Sequence, residues 1–489
     1  MSAAGDAGAR TSGAAVATGR DAADHPSAGA PLAAILAERA LALRTAAIPD
    51  AVLGAAQDHL LDAIGVGLAG GAASTSPLGP DLRRLGAGDG TVLGRGDRLA
   101  PASAALANGT LMHSMEFDDT HVPSVMHGSA VIVPAALAVG EREGAPGDAL
   151  LRSIVGGWET LVLLGLASPG GLQAAGFQTV AAAGAFGAAV SAALLTGADE
   201  DLLVRALGIA GSQASGTFAF LSDASTVKAM HAGWAAHSGV LAGDLAAVGV
   251  TGPAAVFEDR FGFFASYARD AEAPARLREL LPRLGTEWAL PDAAFKRYPC
   301  CHYIHPFLEI AETLRSEDLA PDEITEVVCR VPTGAAPIVC DPWDRKLAPG
   351  SDHDARWSLP VCLAQVLLRG RLRSTDVEGI ASDAEVLGLA SRIHWEPWED
   401  SGFPARFPAD LTVRRADGAE RRIVVDDVRG TPSRPLTAAE IRAKFDQNAV
   451  PAVGEERAEQ IAAAVATLPG LDDVRDLTAL LGAPVAARP

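Results

Sequence analysis

Apolar residues recur at spacings of three and four through most of the first 284 positions, the pattern of helices that bury one face or their whole surface. The pattern starts at Pro31 with PLAAILAERALALRTAAIPDAVLGAAQDHLLDAIGVGLAGG, which breaks at Pro49 and has an expected helix end at Gly70-Gly71. Further helices are predicted over residues 101–117, 129–143, 148–166, 179–195, 199–211, 226–248 and 275–281. Because strand patterns are nearly absent here, residues 31–284 are predicted to form an all-α helical domain.

The pattern changes after Lys296. A predicted helix over residues 306–316 is followed by four β-branched or alternating runs, ITEVVCRVP, SRIHWEPW, ADLTVRRADG and AERRIVVDDV, with Asp417-Gly418 as a hairpin turn between the last two. Residues 285–430 therefore predict a smaller α+β domain. Helical patterns return in residues 431–489 and are suited to packing back on the first domain, whereas residues 1–30, rich in Ala, Gly and Ser, predict a disordered tail.

The amino-acid composition narrows the classes of function that fit this protein. The chain has 489 residues, 49% hydrophobic and 20% charged, as expected for a globular protein rather than a disordered one. Sixty acidic and forty basic residues give a net charge of −20, which argues against nucleic-acid and anionic-membrane partners. The uncharged stretch over residues 161–197 is broken by Pro169 and glycines, so buried helices are expected there rather than a membrane span.

Cysteine usage and motif content point to a protein without a metal or cofactor. The five cysteines form no CxxC pair, so neither a disulfide scaffold nor a metal centre is indicated, and a cytoplasmic location is expected. No GxGxxG after a strand, no phosphate-binding GxxxxGK[ST] loop and no GxSxG elbow is present.

Three clusters carry residues suited to acid–base chemistry. The first is SMEFDDTHVPSVMHGSAVIVPAALAVGE, in which His127 stands where a buried helix begins. Free N–H groups at a helix N-terminus favour an anion, so this position is suited to a carboxylate ligand. The alternative is an acidic loop with a solvated histidine. Candidate residues of this cluster are Glu116, Asp118, Asp119, His121 and His127.

The second cluster, SDASTVKAMHAGWAAHSGVLAGDLAAVG, places Lys228 and His231 three residues apart on one helix face, with Ser222 or Ser225 as a possible cap. The surrounding alanines favour close packing and a buried basic pocket, and a snorkelling surface stripe is the alternative.

The third cluster, FKRYPCCHYIHPFLEIAETL, lies at the predicted domain boundary, where pockets commonly form. Cys300 and Cys301 are interpreted as small apolar packing residues. The candidates in this cluster are Lys296, Arg297, Tyr298, His302 and His305.

Histidine transfers protons near neutral pH, and lysine binds carboxylates and stabilises an enolate-like intermediate. Together, without a cofactor motif, they suit proton transfer at a carbon next to a carboxylate. Dehydration, decarboxylation with reprotonation and epimerisation all fit this description.

The same segments resemble the MmgE/PrpD family, whose members include dehydratases, decarboxylases and an epimerase. The resemblance extends from about Pro31 to the C-terminal helices and is carried by LLDAIGVGLAGG, ASAALANGTLMHSMEFDDTH, HGSAVIVPAALAVGE, KAMHAGWAAHSGVLAGDLAAVGVTGP, FKRYPCCHYIHP and DARWSLP. It implies a mainly α protein: a large helical domain built from both chain ends and an inserted α+β lid domain. It also implies a homodimer, an active site between the domains and no cofactor.

The resemblance also assigns roles to residues. His127 and His305 are expected to transfer protons and Lys228 to bind a substrate carboxylate, which makes these three the predicted catalytic residues. The predicted substrate-binding residues are Glu116, Asp118, Asp119, Thr120, Gln178, His231, Lys296, Tyr298 and His302.

One departure from the family pattern concerns Gln178. Many lyase members read GFH where this chain reads GFQ, and glutamine cannot replace histidine as an acid, a base or a cationic clamp. We therefore expect a lyase on a small carboxylic acid that is not a housekeeping 2-methylcitrate dehydratase. The alternatives are an isomerase or epimerase, a specialised-metabolism enzyme on the same scaffold, and a non-catalytic carboxylate-binding paralogue.

Overall fold

The computed structural model describes residues 29–222 and 225–484. The predicted disordered tail lies outside the described residues except for its last two positions. The described chain is mainly helical with a small sheet, as the sequence predicts.

The predicted helices and strands are found near their expected positions. The helices are α1 Leu32–Ala42, α2 Asp50–Ala72, α3 Pro101–Ser114, α4 Ser129–Glu143, α5 Gly147–Ala167, α6 Gly171–Ala174, α7 Thr179–Leu195, α8 Glu200–Gln213, α9 Val227–Ala247, α10 Ala273–Leu280, α11 His305–Ser316, α12 Ala336–Val339, α13 Trp343–Leu347, α14 Asp352–Ala355, α15 Leu359–Arg369, α16 Ala384–Ala390, α17 Ala438–Val453, α18 Glu455–Ala466 and α19 Arg475–Gly482. The strands are β1 Ala87–Thr91, β2 Arg98–Leu99, β3 Ile324–Pro332, β4 Ile393–Trp398, β5 Ala409–Arg415 and β6 Glu420–Val425. Helices α6 and α12–α16 were not predicted.

The predicted helix end at Gly70-Gly71 is wrong. Helix α2 continues through both glycines to Ala72, because Gly70 lies against the backbone of α3 and a Cβ there would collide with the carbonyl oxygen of Leu111. The glycine therefore permits a close helix crossing rather than ending a helix. The short pair β1–β2 was not predicted, since AGDGT contains only one β-branched residue.

Helices α3, α5, α7 and α9 pack against one another around an Ala-rich core. Gly109 of α3 and Gly233 of α9 make their crossing close, since a Cβ at Gly109 would lie 2.6 Å from the Gly233 Cα. Among the described helices, α5 alone is long and apolar enough to cross a membrane, and most of it is buried in this core. Helix α7 is buried almost throughout, so the predicted buried helices over residues 161–197 are confirmed.

The second apolar cluster surrounds a four-stranded sheet of order β4-β3-β5-β6. Strand β3 pairs parallel with β4 and antiparallel with β5, and β5 and β6 form the predicted hairpin. Gly418 adopts a φ of 85° in the turn, a conformation that glycine reaches without steric cost.

The helices that follow the sheet contribute to the first apolar cluster. Helix α17 packs against α2, and its Phe445 is fully buried there. Residues 298–413 supply the second cluster instead. The positions of the domain boundaries remain a prediction.

Candidate functional site

A cavity of about 570 Å³ brings the three sequence clusters together. Seven of the twelve predicted site residues line it: Glu116, Thr120, His127, Gln178, Lys228, Lys296 and His302. The other five do not line it: Asp118, Asp119, His231, Tyr298 and His305. A second cavity of about 780 Å³ lies beside His121 and the end of β6; it shares Val122 and Phe407 with the first, but none of the twelve residues lines it. The convergence of buried ionisable groups marks the smaller cavity as the candidate active site.

Glu116 anchors the floor of the cavity. Its backbone is left-handed, with a φ of 51°, a conformation that a non-glycine residue adopts only when its surroundings hold it. Here the Glu116 carboxylate forms an ion pair with Lys228, and the Lys296 ammonium donates to the Glu116 carbonyl oxygen at 3.1 Å. The two lysines thus hold the loop that follows α3 in place.

Lys228 is almost fully buried on the first turn of α9. Burial, followed by the charge of Lys296, holds the pKa of Lys228 well below its usual range, while contact with Glu116 favours the ammonium form. Its Nζ also lies 5.4 Å from the centre of the Trp357 ring. A lysine in this setting presents a partly desolvated positive charge to the cavity, which suits a substrate carboxylate.

His127 is fixed by the loop that precedes α4. Its Nδ1 lies 2.9 Å from the Asp119 carbonyl oxygen and 3.1 Å from the Thr120 hydroxyl. The carbonyl can only accept, so Nδ1 carries the proton and Nε2 is left as the acceptor in the neutral ring. Burial lowers the pKa of His127, and the Asp118 carboxylate 3.6 Å away opposes that effect. A carboxylate beside the ring equips His127 to carry and deliver a proton.

The Asp119 carboxylate has a structural role at the start of α4. Its carboxylate accepts the backbone N–H of Ser129 at 3.1 Å, the Ser129 hydroxyl and a hydrogen bond from His59 at 2.7 Å. The N-terminus of α4, predicted to be suited to a substrate carboxylate, therefore already holds the carboxylate of Asp119. His59 carries no signal in the sequence beyond its place in a helical segment, and sequence reasoning missed it.

Gln178 links two buried histidines. The ring of His113 donates from Nδ1 to Asp118 at 2.7 Å and accepts the Gln178 amide N–H at Nε2, 3.0 Å away. The Gln178 amide oxygen in turn accepts from His231 Nδ1 at 2.6 Å. These four side chains form one chain of hydrogen bonds, with Gln178 as the member that reaches the cavity.

Both histidines of this chain are neutral at physiological pH. Burial lowers the pKa of His113 to about 3 and that of His231 to about 4. An amide is the right connector between two neutral rings, because it donates at one end and accepts at the other. His113 was missed in the sequence, although its spacing of five residues from Asp118 in HSMEFD was visible.

The third cluster divides into a cavity-facing part and a packed part. His302 lines the cavity from a 3₁₀ turn, His302–Ile304, that precedes α11. His305 is fully buried behind it, with Nε2 3.2 Å from the Cys300 carbonyl oxygen. Tyr298 packs edge-on against His305, their ring centres 5.1 Å apart. The catalytic role of His305 stays a prediction.

Sequence reasoning missed six further polar residues that line the cavity and lie between positions 301 and 354: Cys301, Asp341, Arg345, Lys346, His353 and Asp354. Lys346 lies at the end of α13, and its Nζ donates to the Ile338 carbonyl oxygen at 2.7 Å. His353 lies in LAPGSDHDARW, which overlaps the family-like segment DARWSLP but has no pattern that predicts a functional residue. At the start of α9, Thr226 rather than Ser225 occupies the N-cap position, and the side chain of Ser222 lies outside the described residues.

The fold and the cavity define a mainly helical protein with a buried pocket rich in lysine and histidine. Two family models match it: the MmgE/PrpD N-terminal domain over residues 34–275 and the MmgE/PrpD C-terminal domain over residues 298–469. The chain therefore belongs to the MmgE/PrpD family and is an enzyme of that type.

Individual relatives agree with this assignment. Human cis-aconitate decarboxylase is 28% identical over 90% of this chain and 92% of its own length. A cis-aconitate decarboxylase-like protein of Aspergillus oryzae is 26% identical over 90% of this chain and 95% of its own length. The cis-aconitate decarboxylase of Aspergillus terreus (strain NIH 2624) is 27% identical over 81% of this chain and 84% of its own length.

Proposed function

We propose that this protein is a cofactor-independent lyase that removes a group from a small carboxylic acid and moves a proton at the carbon next to a carboxylate. The observation that carries the proposal is the convergence of His127, Lys228 and Lys296 on one buried cavity. The lysines supply positive charge for a carboxylate and for the negative charge that develops in the transition state, and His127 supplies a proton.

The charge distribution supports an acidic substrate. The protein has a net charge of −20, yet four cationic side chains line the cavity: Lys228, Lys296, Arg345 and Lys346. Glu116 and Asp118 neutralise the first two in part, Asp354 lies 4.0 Å from Arg345, and Asp341 also lines the cavity. Lys346 has a carbonyl rather than a carboxylate as its hydrogen-bond partner, which leaves it suited to a second carboxylate of the substrate.

Among lyase reactions we favour decarboxylation, with cis-aconitate as the first acid to test, because the relatives are named for that reaction. In this step the bond to the departing CO₂ breaks and its electron pair stays on the substrate as a delocalised carbanion. Lys228 stabilises that negative charge, and His127 transfers its proton to carbon. Dehydration of 2-methylcitrate is disfavoured, because the amide of Gln178 lies between two neutral histidines and supplies no charge.

Incubation of the purified protein with cis-aconitate and with 2-methylcitrate in D₂O, followed by proton NMR, tests this proposal. We expect loss of CO₂ from cis-aconitate and at least one deuterium per product molecule, the one that is added when the carbanion is protonated. The variants His127→Asn and Lys228→Met should stay folded and lose turnover. Full activity in both variants would contradict the proposed chemistry, and deuterium uptake without loss of CO₂ or water would favour an isomerase instead.

We further propose that residues 285–430 form a lid over helices drawn from both ends of the chain, and that the protein is a cytoplasmic homodimer. The two apolar clusters and the packing of α17 on α2 support the first part. Light scattering coupled to size-exclusion chromatography tests the second, since a mass near the chain's own 50.0 kDa would rule out a dimer.

A further inference from the structure

Unlike His113, His127 and His231, His302 has no hydrogen bond through its ring to any described residue. It is 5% exposed, and neither of its ring nitrogens has a partner among the described residues. Buried polar groups in folded proteins are nearly always paired, so an unpaired ring that faces a cavity is suited to bind a ligand there. His127, by contrast, is held through Nδ1 by the Asp119 carbonyl and the Thr120 hydroxyl.

The ring is nevertheless held in place. His305 packs against it with ring centres 4.8 Å apart, and Phe407 packs edge-on at 5.2 Å with an interplanar angle of 85°. His305 is itself fixed by Cys300 and Tyr298. These contacts orient His302 without occupying its nitrogens, so the nitrogens stay available to a substrate.

The charges around His127 and His302 differ, although Lys296 acts on both rings. His127 has the Asp118 carboxylate at 3.6 Å, which favours a protonated ring. Burial, followed by the charges of Lys296, His127 and Lys444, lowers the pKa of His302 well below its usual range, and no carboxylate of the described residues is among the charges that act on it. Two titratable groups with such different surroundings divide into an acid and a base.

We propose that His302 is the base of this site: it takes a proton from the substrate carbon next to a carboxylate, while His127 acts as the acid and His305 only positions the His302 ring. This inference rests on the proposed function. In the step, the C–H bond breaks, its electron pair delocalises into the neighbouring carboxylate or double bond, and the proton moves to a His302 nitrogen. The imidazolium then returns the proton to the carbon or, through water, to solvent.

The assignment implies an activity separate from the loss of CO₂: exchange of the CH₂ hydrogens of cis-aconitate with solvent. That CH₂ group lies between a double bond and a carboxylate, which makes it the acidic carbon position of the molecule. The wild-type protein in D₂O should replace these hydrogens in substrate that has not yet reacted.

The test compares His302→Asn with His394→Asn, the same substitution on the exposed face of β4. For each, proton NMR follows deuterium uptake in residual cis-aconitate, and product formation gives KM. We expect His302→Asn to slow exchange by about 10²- to 10⁴-fold with KM changed less than about threefold, and His394→Asn to behave as wild type. Added imidazole should partly restore exchange in His302→Gly, which covers the case in which the asparagine variant folds poorly.

Unchanged exchange in His302→Asn would overturn the proposal. So would a parallel change in exchange and KM, which would make His302 a binding residue, or a wild-type protein that decarboxylates without exchange. In each of these outcomes the proposed lyase function survives. Absence of both exchange and turnover in the wild type, on every acid tried, would instead refute the proposed function itself.

Discussion

Replacement of Gln178 by glutamate should raise the pKa of His113, so that a ring that is neutral in the wild type becomes charged. The Gln178 amide nitrogen donates to His113 Nε2 at 3.0 Å, so that nitrogen carries no proton. A glutamate is nearly the same shape but offers only oxygens, which accept. The new carboxylate can keep the hydrogen bond only if His113 binds a second proton.

The size of the effect follows from the distance. Two unit charges 3.0 Å apart at an effective dielectric constant of about 20 attract by about 5.5 kcal/mol, which corresponds to a pKa rise of about 4. Because burial now holds the pKa of His113 at about 3, the variant should titrate near pH 7. His113 would then carry a positive charge between Asp118 and the new glutamate.

Histidine side-chain NMR across a pH series measures this. In the wild type, the His113 resonance should not titrate above about pH 5, and in Gln178→Glu it should titrate near neutrality. His121 is an internal control, because it pairs with Ser124 outside this chain and burial holds its pKa at about 4 in both proteins. If the His113 resonance of the variant still titrates only below pH 5, the assigned direction of the hydrogen bonds is wrong.

Four further outcomes are expected. Lys228→Met should lower kcat/KM by about 10²- to 10³-fold in steady-state assays while circular dichroism stays unchanged, because it removes the charge that stabilises the carbanion; wild-type kcat/KM would contradict this role. Lys346→Met should raise KM about 10- to 150-fold for a tricarboxylate, the ratio expected for the loss of one charge-assisted hydrogen bond, and leave KM for a monocarboxylate analogue unaltered. Equal effects on KM for both acids would count against a second carboxylate site. Protonation of His113 alone should lower the stability measured by urea unfolding by about 2 kcal/mol from pH 7 to pH 5, because the unfolded histidine binds a proton below its ordinary pKa of 6.5 whereas burial lowers the pKa of the folded one to about 3. The control is His113→Asn, which should lack this part of the pH dependence. Gly109→Ala should destabilise the protein by about 1–3 kcal/mol because its Cβ meets backbone at 2.6 Å, whereas Gly54→Ala, with open space around it, should be neutral or stabilising, and equal melting temperatures would refute the close helix crossing.

The helices and strands were predictable because their signals are local. The predicted ranges 129–143 and 179–195 coincide with α4 and α7, and the Asp417-Gly418 hairpin is confirmed. Apolar spacing follows directly from backbone geometry, so it is written along a few turns of chain. The failure at Gly70 has the opposite cause, since a glycine that ends a helix and one that admits a neighbouring helix look alike in the sequence.

The sequence by itself determined the helical character of this protein and the three segments that hold its candidate chemistry, since residue types and their short spacings are local. Only the tertiary structure decided how those residues act on one another. In the folded chain Lys228 pairs with Glu116, 112 positions away, and the Asp119 carboxylate binds the N-terminus of α4. His302, and not His305, lines the cavity. Such pairings depend on how helices cross and where loops close, and no spacing along the chain carries that information.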